Sequence, residues 1–195
     1  MRRHALGTDP FLAERAPTGA TAGRSTAALD RTSPISAMPI PANLQRFWGA
    51  FASASGEPDD SRFLEAFAFG DSESLANELA ELVLQGVKRA TAASLWALRA
   101  EGRQPAKPGD LSIVTNWAGQ PLCIIETEAV ETVPFSEVTA EFAATEGEGD
   151  SSLSFWRAAH TEYFTRECSR IGRVFEQTMP VVCERFRVVY QPSAV

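Results

Sequence analysis

Cysteine and histidine are scarce in this chain of 195 residues, which holds three cysteines and two histidines. Cys123, Cys168 and Cys183 form no CxxC pair, and their odd number argues against a disulfide framework. The histidines, His4 and His160, lie far apart in the sequence, so a metal site is not expected. We therefore expect reduced cysteines in a hydrophobic core and no bound metal.

Long hydrophobic runs are also missing. The longest apolar stretches, such as Pro121–Ile125 and Phe186–Tyr190, have the length of strands. A membrane-spanning helix needs about 20 consecutive apolar residues. The arginine-containing start is not followed by the continuous apolar segment of a secretory signal. These absences predict a cytoplasmic protein that does not cross a membrane.

Positive charge is limited, and the net charge is -7. Residues 1–40 hold five arginines and three acidic residues, so residues 41–195 hold 13 basic and 22 acidic residues and carry a net charge of -9. Proteins that bind long nucleic acids usually present a basic patch, because contacts with the phosphates dominate the affinity for the nucleic acid. The acidic body disfavours tight, non-specific binding to duplexes. It leaves open a small nucleoside or a local RNA contact.

Two regions of different composition follow each other along the chain. Residues 1–38 are rich in Arg, Ala, Thr, Ser and Gly and show little apolar periodicity. Such a segment cannot bury enough apolar surface to offset the entropy of ordering, so we predict a disordered or non-native extension, with Met38 as an alternative start. Residues 39–195 carry helix and strand patterns and are predicted to form one domain.

Hydrophobic periodicity within the domain predicts both helices and strands. The predicted helices cover residues 41–52, 72–85, 91–99, 136–144 and 151–170, and the predicted strands cover residues 111–117, 121–133 and 180–190. The elements do not alternate as regular βαβ units, so the predicted fold class is α+β.

Lysine is also scarce, because the chain has two lysines and sixteen arginines. Lys88 follows a helix-ending Gly86, and Thr91 comes three residues later, which puts both side chains on one side if the turn is helical. A lysine can lose its proton when it is buried or lies near a cation such as Arg89, and a neutral Lys88 could act as base toward a Thr91 nucleophile. The alternative is that Lys88 and Thr91 only cap helices.

A second group of candidate residues lies farther along the chain. The carboxylates of the loop at residues 146–150 could reach into a pocket and transfer protons, or could simply remain solvated. Trp156 and His160 share a helix face at i,i+4 spacing, and Asn116 and Trp117 end a strand. Trp117 could stack on a base. Packing into the core is the alternative for the aromatic and histidine side chains.

The ordered set of these motifs resembles the ASCH domain over roughly residues 45–190. The motifs that carry the resemblance are Gly86-x-Lys88-x-x-Thr91, Lys107-x-Gly109-Asp110, Cys123-x-Ile125-Glu126, the acidic glycine loop from Glu146 to Asp150, the helix with Trp156 and the final Val181–Tyr190 strand. The last three features are similar to the larger bacterial members. The resemblance assigns residues 39–195 to one ASCH domain. It implies a PUA-like β-barrel flanked by helices, with a pocket beside the Gly-x-Lys turn.

The resemblance also implies functions. ASCH domains were proposed as RNA-binding modules, and small bacterial members are similar to amidohydrolases that remove the acetyl group from N4-acetylcytidine with a Lys, a Thr and a Glu. Other bacterial members are described as ribonucleases. This chain differs from the small enzymes in its added N-terminal helices and its long helix with Trp156, which puts the substrate in doubt.

Carried over to this chain, the amidohydrolase chemistry makes Thr91 the nucleophile and Lys88 the base. Glu146 protonates the leaving amine, with Glu148 as the alternative. The candidate substrate-binding residues are Arg89, Ser94, Asn116, Trp156 and His160. The partner is a small nucleoside or RNA, the chemistry requires no metal or cofactor, and the oligomeric state stays open.

Two alternatives use the same pocket. The first is an RNA-binding module without turnover, for which Arg166, Arg170 and Arg173 offer a weak basic surface. The second is a metal-independent ribonuclease in which Lys88 stabilises a phosphorane and His160 acts as acid or base.

Overall fold

A mixed sheet forms the centre of this protein in a computed structural model, which describes the backbone of residues 3–5 together with residues 39–56 and 59–192. The strands are β1 (Arg3–Ala5), β2 (Phe63–Phe69), β3 (Ala90–Ser94), β4 (Leu111–Thr115), β5 (Pro121–Pro134) and β6 (Pro180–Tyr190). The helices are α1 (Gln45–Ser55), α2 (Glu73–Leu84), α3 (Leu95–Ala100), α4 (Ala140–Glu146) and α5 (Leu153–Arg170), with short 3-10 turns at Ala42–Leu44, Asp60–Arg62 and Phe135–Glu137.

The strand order β1-β2-β4-β5-β6-β3 makes a half-barrel with helices packed around it. β2 and β4 are parallel, and the other neighbouring strands are antiparallel. The long β5 has register shifts at Ile124/Ile125 and at Thr127/Ala129. Such bulges bend a strand, which lets β5 pair with both β4 and β6. The predicted α+β class and PUA-like fold with flanking helices are confirmed, and the predicted β-barrel is a half-barrel.

The local signals at the ends of α2 work as the sequence predicts. The Ser72 hydroxyl accepts a hydrogen bond from the Leu75 N–H at 3.4 Å, which caps the first turn. At the other end Gly86 has a φ of 73°, in the left-handed region where a side chain is disfavoured. The helix therefore stops where the chain must turn back toward the sheet.

One predicted helix differs in the structure, and one strand was not predicted. The segment 91–99 was predicted as a helix, but Ala90–Ser94 is a strand, and only Leu95–Ala100 is helical. β3 pairs with β6 over five residues, and this ladder outweighs the helix propensity of its alanines. The prediction also missed β2, because this strand is buried almost throughout and shows no alternation between apolar and polar residues.

Buried side chains form three hydrophobic clusters around the sheet. The first lies between α4, α5 and the β3–β6 pair, the second between α2 and the strands β2, β4 and β5, and the third under α1. All three cysteines are reduced and buried, as predicted. The site described below lies where the first and second clusters meet.

Two features concern the limits of the described chain. Apart from Arg3–Ala5, which pairs with β2, the predicted extension over residues 1–38 lies outside the described residues. Among the helices of residues 39–56 and 59–192, none combines the length and the apolar character that a bilayer crossing requires.

Candidate functional site

The turn after α2 directs Lys88 into the protein interior. The Lys88 backbone N–H donates to the Leu82 carbonyl at 3.0 Å, which fixes the turn behind the helix end. The side chain is fully buried, with 0% exposure, and its Nζ lies 5.2 Å from the centre of the Phe69 ring. Long charged side chains almost never lie fully buried without a partner.

The acidic glycine loop that follows α4 supplies these partners. Gly147 ends α4 with a φ of 65°, and a Cβ there would lie 2.7 Å from the Val87 carbonyl oxygen. The Arg89 N–H also donates to the Thr145 carbonyl at 3.0 Å. The end of α4 is therefore held directly against the turn that carries Lys88.

Two carboxylates meet the Lys88 ammonium. Its Nζ lies 3.0 Å from Glu146 Oε1 and 2.7 Å from Glu148 Oε1. Glu146 is fully buried, whereas Glu148 retains 6% exposure. The two residues flank Gly147 in sequence, and the left-handed turn at this glycine brings both carboxylates to the same amine.

Helix α5 adds an indole and an imidazole to the same group. Trp156 Nε1 donates to Glu146 Oε2, and His160 Nε2 lies 3.4 Å from that oxygen. The rings of Trp156 and His160 stack with their centres 4.0 Å apart. We name Lys88, Glu146, Glu148, Trp156 and His160 the Lys88 cluster; all are buried.

The charges of the cluster correct one expectation. Burial by itself lowers the pKa of Lys88, but the carboxylates of Glu146 and Glu148 outweigh burial and raise that pKa above its usual value. Burial alone would raise the pKa of Glu146. The nearby positive charges and hydrogen bonds, of which the Lys88 ammonium has the largest effect, instead lower this pKa well below its usual value. Lys88 is therefore a cation near pH 7, and the neutral base expected from the sequence is wrong.

Burial sets the protonation of His160. It lowers the pKa of this imidazole from 6.5 to about 4, although Glu146 and Glu148 act in the opposite direction. His160 Nδ1 lies 3.0 Å from the Trp156 carbonyl oxygen and Nε2 lies 3.4 Å from Glu146 Oε2, so each ring nitrogen faces an acceptor. A neutral His160 leaves the Lys88 cluster with two carboxylates and one ammonium.

Thr91 occupies a strand position, so the helical i,i+3 relation to Lys88 predicted from the sequence is wrong. Ala90 and Ala92 belong to the first hydrophobic cluster, and Thr91 faces the other side of β3 because side chains alternate along a strand. There it lines a cavity of about 30 Å³. The polar residues around this Thr91 cavity include Glu65, Thr91, Ser94, Arg103, Glu167 and Glu184.

Helix α5 connects the cavity with the Lys88 cluster. His160 belongs to the cluster, and Glu167, seven residues later on the same helix, lines the Thr91 cavity. Seven helical residues rise by roughly 10 Å. The Lys88 cluster and the Thr91 cavity thus lie at different positions along one helix.

The remaining predicted substrate-binding residues are more dispersed. Ser94 lines the Thr91 cavity, and its hydroxyl accepts a hydrogen bond from the Ala97 N–H at 3.3 Å as the cap of α3. Arg89 is exposed. The Asn116 side chain bonds to Gln120 across the β4–β5 connection, at 3.0 Å and 2.9 Å. Trp117, in the same connection, is 38% exposed.

The cavity residues Glu65, Arg103 and Glu184 were missed by sequence reasoning. Arg103 donates to Glu65, and the Thr127 hydroxyl donates to Glu184 at 2.8 Å. Glu65 and Glu184 are each 5% exposed and lie inside apolar strands. A lone carboxylate in an apolar strand needs a buried partner, and this signal could have identified both.

A larger cavity lies elsewhere, near the end of α1. It measures about 340 Å³ and includes Arg62, Glu126 and Arg187 in its lining. Both arginines donate to Glu126, so their charges serve an ion-pair network at the sheet. Because the buried titratable groups converge at Lys88 instead, we take the Lys88 cluster as the candidate site. The described residues hold no group of three or more His, Cys, Asp or Glu side chains suited to a metal ion.

Comparisons with known proteins agree with this architecture. The family model of the ASCH domain matches residues 65–190. The solved ASCH domain of Lactobacillus crispatus JV V101 is 38% identical, with a TM-score of 0.70 over 75% of this chain and 94% of that chain. A solved protein of Enterococcus faecalis V583 is 33% identical, with a TM-score of 0.68 over 75% of this chain and 88% of that chain.

The curated proteins contain no match to this chain. The ASCH domain has a PUA-like fold, which suggests RNA binding or a related function. Because the family model covers more than half of the chain and the L. crispatus domain is 38% identical over 75% of it, the chain belongs to the ASCH domain family.

Proposed function

We propose that this chain is a metal-independent hydrolase that removes the acetyl group from a modified nucleoside similar to N4-acetylcytidine. The observation that carries the proposal is the burial of the Lys88 ammonium between Glu146 and Glu148, at 3.0 Å and 2.7 Å. A buried ion pair contributes little net stability compared with apolar side chains of the same volume. Perturbed, buried titratable groups that converge in one place are typical of catalytic sites.

Lys88 acts as the electrostatic group of the reaction. An ammonium has three N–H donors, and the two carboxylates use two of them. The third is oriented by this anchoring and stabilises the oxyanion that forms when the acetyl carbonyl is attacked. A preorganised cation in a site shielded from water is an effective stabiliser of such an intermediate.

Water supplies the nucleophile in place of Thr91, because Thr91 faces the other side of β3 from the Lys88 cluster, and Glu148 replaces Lys88 as the base. The water oxygen attacks the acetyl carbon, and one of its protons passes to the Glu148 carboxylate. Glu148 then gives that proton to the leaving N4 nitrogen as the C–N bond breaks, which releases cytidine and acetate.

The burial of the two glutamates separates their roles. Glu146 is fully buried, and Lys88 and Trp156 both donate to it, so it orients the ammonium. Glu148 retains 6% exposure and lies on a glycine-flanked loop, where a substrate can reach it. We therefore assign proton transfer to Glu148, the alternative considered from the sequence, in place of Glu146.

The surface arginines favour a small substrate over a polymer. Arg166 lies 2.9 Å and Arg170 3.9 Å from Asp71, and Arg173 lies over the Trp96 ring, 4.5 Å from its centre. Arginines paired in this way present less charge to a phosphate backbone, which is the main source of affinity for long nucleic acids.

A turnover assay tests the proposal. Purified protein is incubated with N4-acetylcytidine, and acetate and cytidine are quantified by NMR. Wild type is expected to release both in equal amounts, and Lys88→Gln is expected to release neither. Lys107→Gln is the matched control, because Lys107 is the other lysine and is exposed; this variant keeps wild-type turnover.

Each alternative predicts a different outcome. If the protein releases no acetate but binds RNA at low salt, the RNA-binding module is supported in place of the hydrolase. If it cleaves labelled RNA after metal chelation, and Lys88→Gln does not, the ribonuclease is supported. Circular dichroism is used to check that each variant is folded.

A further inference from the structure

The Lys88 cluster is closed to solvent in this structure. Lys88, Glu146 and His160 have 0% exposure, and Trp156 has 2%. The two cavities described above have none of the five cluster side chains in their linings. Glu148, with 6% exposure, is the member of the cluster that lies nearest to the solvent. A ligand that contacts the Lys88 ammonium therefore requires part of the protein around Glu148 to move.

The segment 147–151, which joins α4 to α5, carries Glu148 and has the backbone of a movable element; we name it the lid segment. The Ser151 N–H donates to the Glu148 carbonyl at 2.9 Å, so the segment is closed by a hydrogen bond within itself. Left-handed φ values occur at Gly147, Gly149 and Ser151, at 65°, 57° and 61°. Ser151 is the one non-glycine residue with a positive φ in the part of the chain that the structure describes. Such residues are concentrated at active sites and in switch regions.

Phe155 covers the lid segment from the first turn of α5. Its N–H donates to the Ser152 hydroxyl at 3.1 Å, which fixes Phe155 to the start of the helix. A Cβ added to Gly149 would lie 2.3, 2.4 and 2.5 Å from Cζ, Cε1 and Cε2 of the Phe155 ring. These nearly equal distances place that position over the face of the ring, so the ring lies directly against the glycine backbone. Phe155 is 41% exposed, so it holds the lid segment from the protein surface and is not part of the core.

We infer, building on the proposed function, that the lid segment opens to admit the substrate to Lys88 and that Phe155 holds it closed. In the closed state the Phe155 ring fixes Gly149, and the neighbouring Glu148 carboxylate lies 2.7 Å from Lys88 Nζ. Opening moves this carboxylate away and leaves an ammonium N–H for the acetyl carbonyl. Closure returns Glu148 to the water that it activates. Phe155 is a positioning residue, because it acts on the reaction through Glu148.

Exchange of the Lys88 ammonium protons with water measures this opening and needs no turnover. The protein is labelled with nitrogen-15 at the lysine ζ positions and observed by NMR. The chain has two lysines, and Lys107 is exposed, so the slowly exchanging ammonium belongs to Lys88.

Three variants test the role of the Phe155 ring. Phe155→Ala is expected to accelerate the exchange of the Lys88 protons by at least about tenfold, because the contact that closes the lid segment is lost. Phe155→Tyr keeps the ring and is expected to exchange as wild type does. Val174→Ala is the control, because Val174 is also exposed but lies beyond the other end of α5, and it is expected to have no effect.

Urea distinguishes opening of the lid segment from unfolding of the protein. Local opening exposes little surface, so its exchange rate changes little with urea below the unfolding transition, whereas exchange through global unfolding rises steeply. We expect little change with urea in wild type and in Phe155→Ala. Equal exchange in these two proteins, or a steep rise with urea in wild type, overturns the inference even if acetate is released.

Steady-state kinetics give a second measurement. Phe155→Ala is expected to lower kcat for N4-acetylcytidine by about tenfold with a smaller change in KM, because the ring positions a group that acts in the transition state. Phe155→Tyr is expected to restore kcat. Wild-type kcat in Phe155→Ala overturns the positioning role. Faster exchange of the Lys88 protons in Phe155→Ala, with no acetate released by any of the proteins, supports the lid segment and contradicts the proposed function.

Discussion

The loop with Glu146 and Glu148 and the turn with Lys88 are in contact through Gly147 and Val87. A Cβ added to Gly147 would lie 2.7 Å from the Val87 carbonyl oxygen, and this oxygen belongs to the backbone and cannot rotate away. The contact fixes the distance between the carboxylates and the ammonium. It also explains why a glycine is needed between the two glutamates.

Gly147→Ala is therefore expected to destabilise the fold by about 2–4 kcal/mol, because it combines a left-handed φ with this steric conflict. Gly86→Ala is the matched control. Gly86 has a φ of 73°, but a Cβ there would have nothing within 4 Å, so the cost is about 1–2 kcal/mol. Urea denaturation measures both, and equal values for the two variants would show that the contact is unimportant.

The two glutamates are expected to respond differently to replacement. Glu146→Gln removes a fully buried partner of Lys88 and should cost about 3 kcal/mol of stability. Glu148→Gln should cost less, about 1–2 kcal/mol, and abolish acetate release, because Glu148 is the proposed proton carrier.

The exposed Glu128→Gln provides the reference for this comparison. Its ion pair with Arg187 lies at the surface, so its loss should change stability by less than about 1 kcal/mol. Denaturation curves and acetate assays on the three variants test the assignment. Full turnover in Glu148→Gln would contradict the assignment of proton transfer to Glu148 and would favour Glu146.

Acid is expected to destabilise the protein through His160. Burial lowers the pKa of this imidazole from 6.5 to about 4, so between these pH values the unfolded state binds a proton that the folded state does not. The contribution is present above pH 6.5 and is lost as the pH falls toward 4. It amounts to about 3 kcal/mol.

His160→Gln removes this titration. The free energy of unfolding is measured from pH 4.5 to pH 7 for wild type and for the variant, and the difference between the two curves isolates His160. The wild-type curve is expected to fall more steeply with acid. Parallel curves would mean that His160 is not held neutral by burial.

The cysteines are expected to be inert in the folded protein. Burial raises the pKa of Cys123 and of Cys183 to about 12, and it also raises that of Cys168. Only the thiolate reacts rapidly with disulfide reagents. We expect no labelling at pH 8 without denaturant and three labelled thiols in urea; rapid labelling of the native protein would contradict the burial of these side chains.

The sequence predicted the elements whose signals are local. The N-cap at Ser72, the stop at Gly86 and the closing strand Pro180–Tyr190 were all confirmed, because each depends on residues within a few positions. β2 and β3 were missed, because buried strands are defined by their neighbours in the sheet and carry no period of their own.

The candidate site shows the same division. Lys88 was recognised through its rarity and the ASCH resemblance. Glu146 and Glu148 contact its ammonium, and Trp156 and His160 contact Glu146. Its charge was predicted incorrectly, because the two carboxylates that raise its pKa lie 58 and 60 residues away in sequence. Spacing along a chain does not reveal which groups will surround a buried amine.

The central physical claim is that Lys88 is a buried ammonium held by Glu146 and Glu148, and NMR of the protein labelled with carbon-13 at the lysine ε positions tests it most directly. The chain has two lysines, so two resonances are expected, and Lys107→Gln assigns them. We predict that the Lys88 resonance keeps the shift of a charged lysine at neutral pH and begins to titrate only above the usual lysine range. A Lys88 resonance that titrates near or below neutral pH would contradict the account.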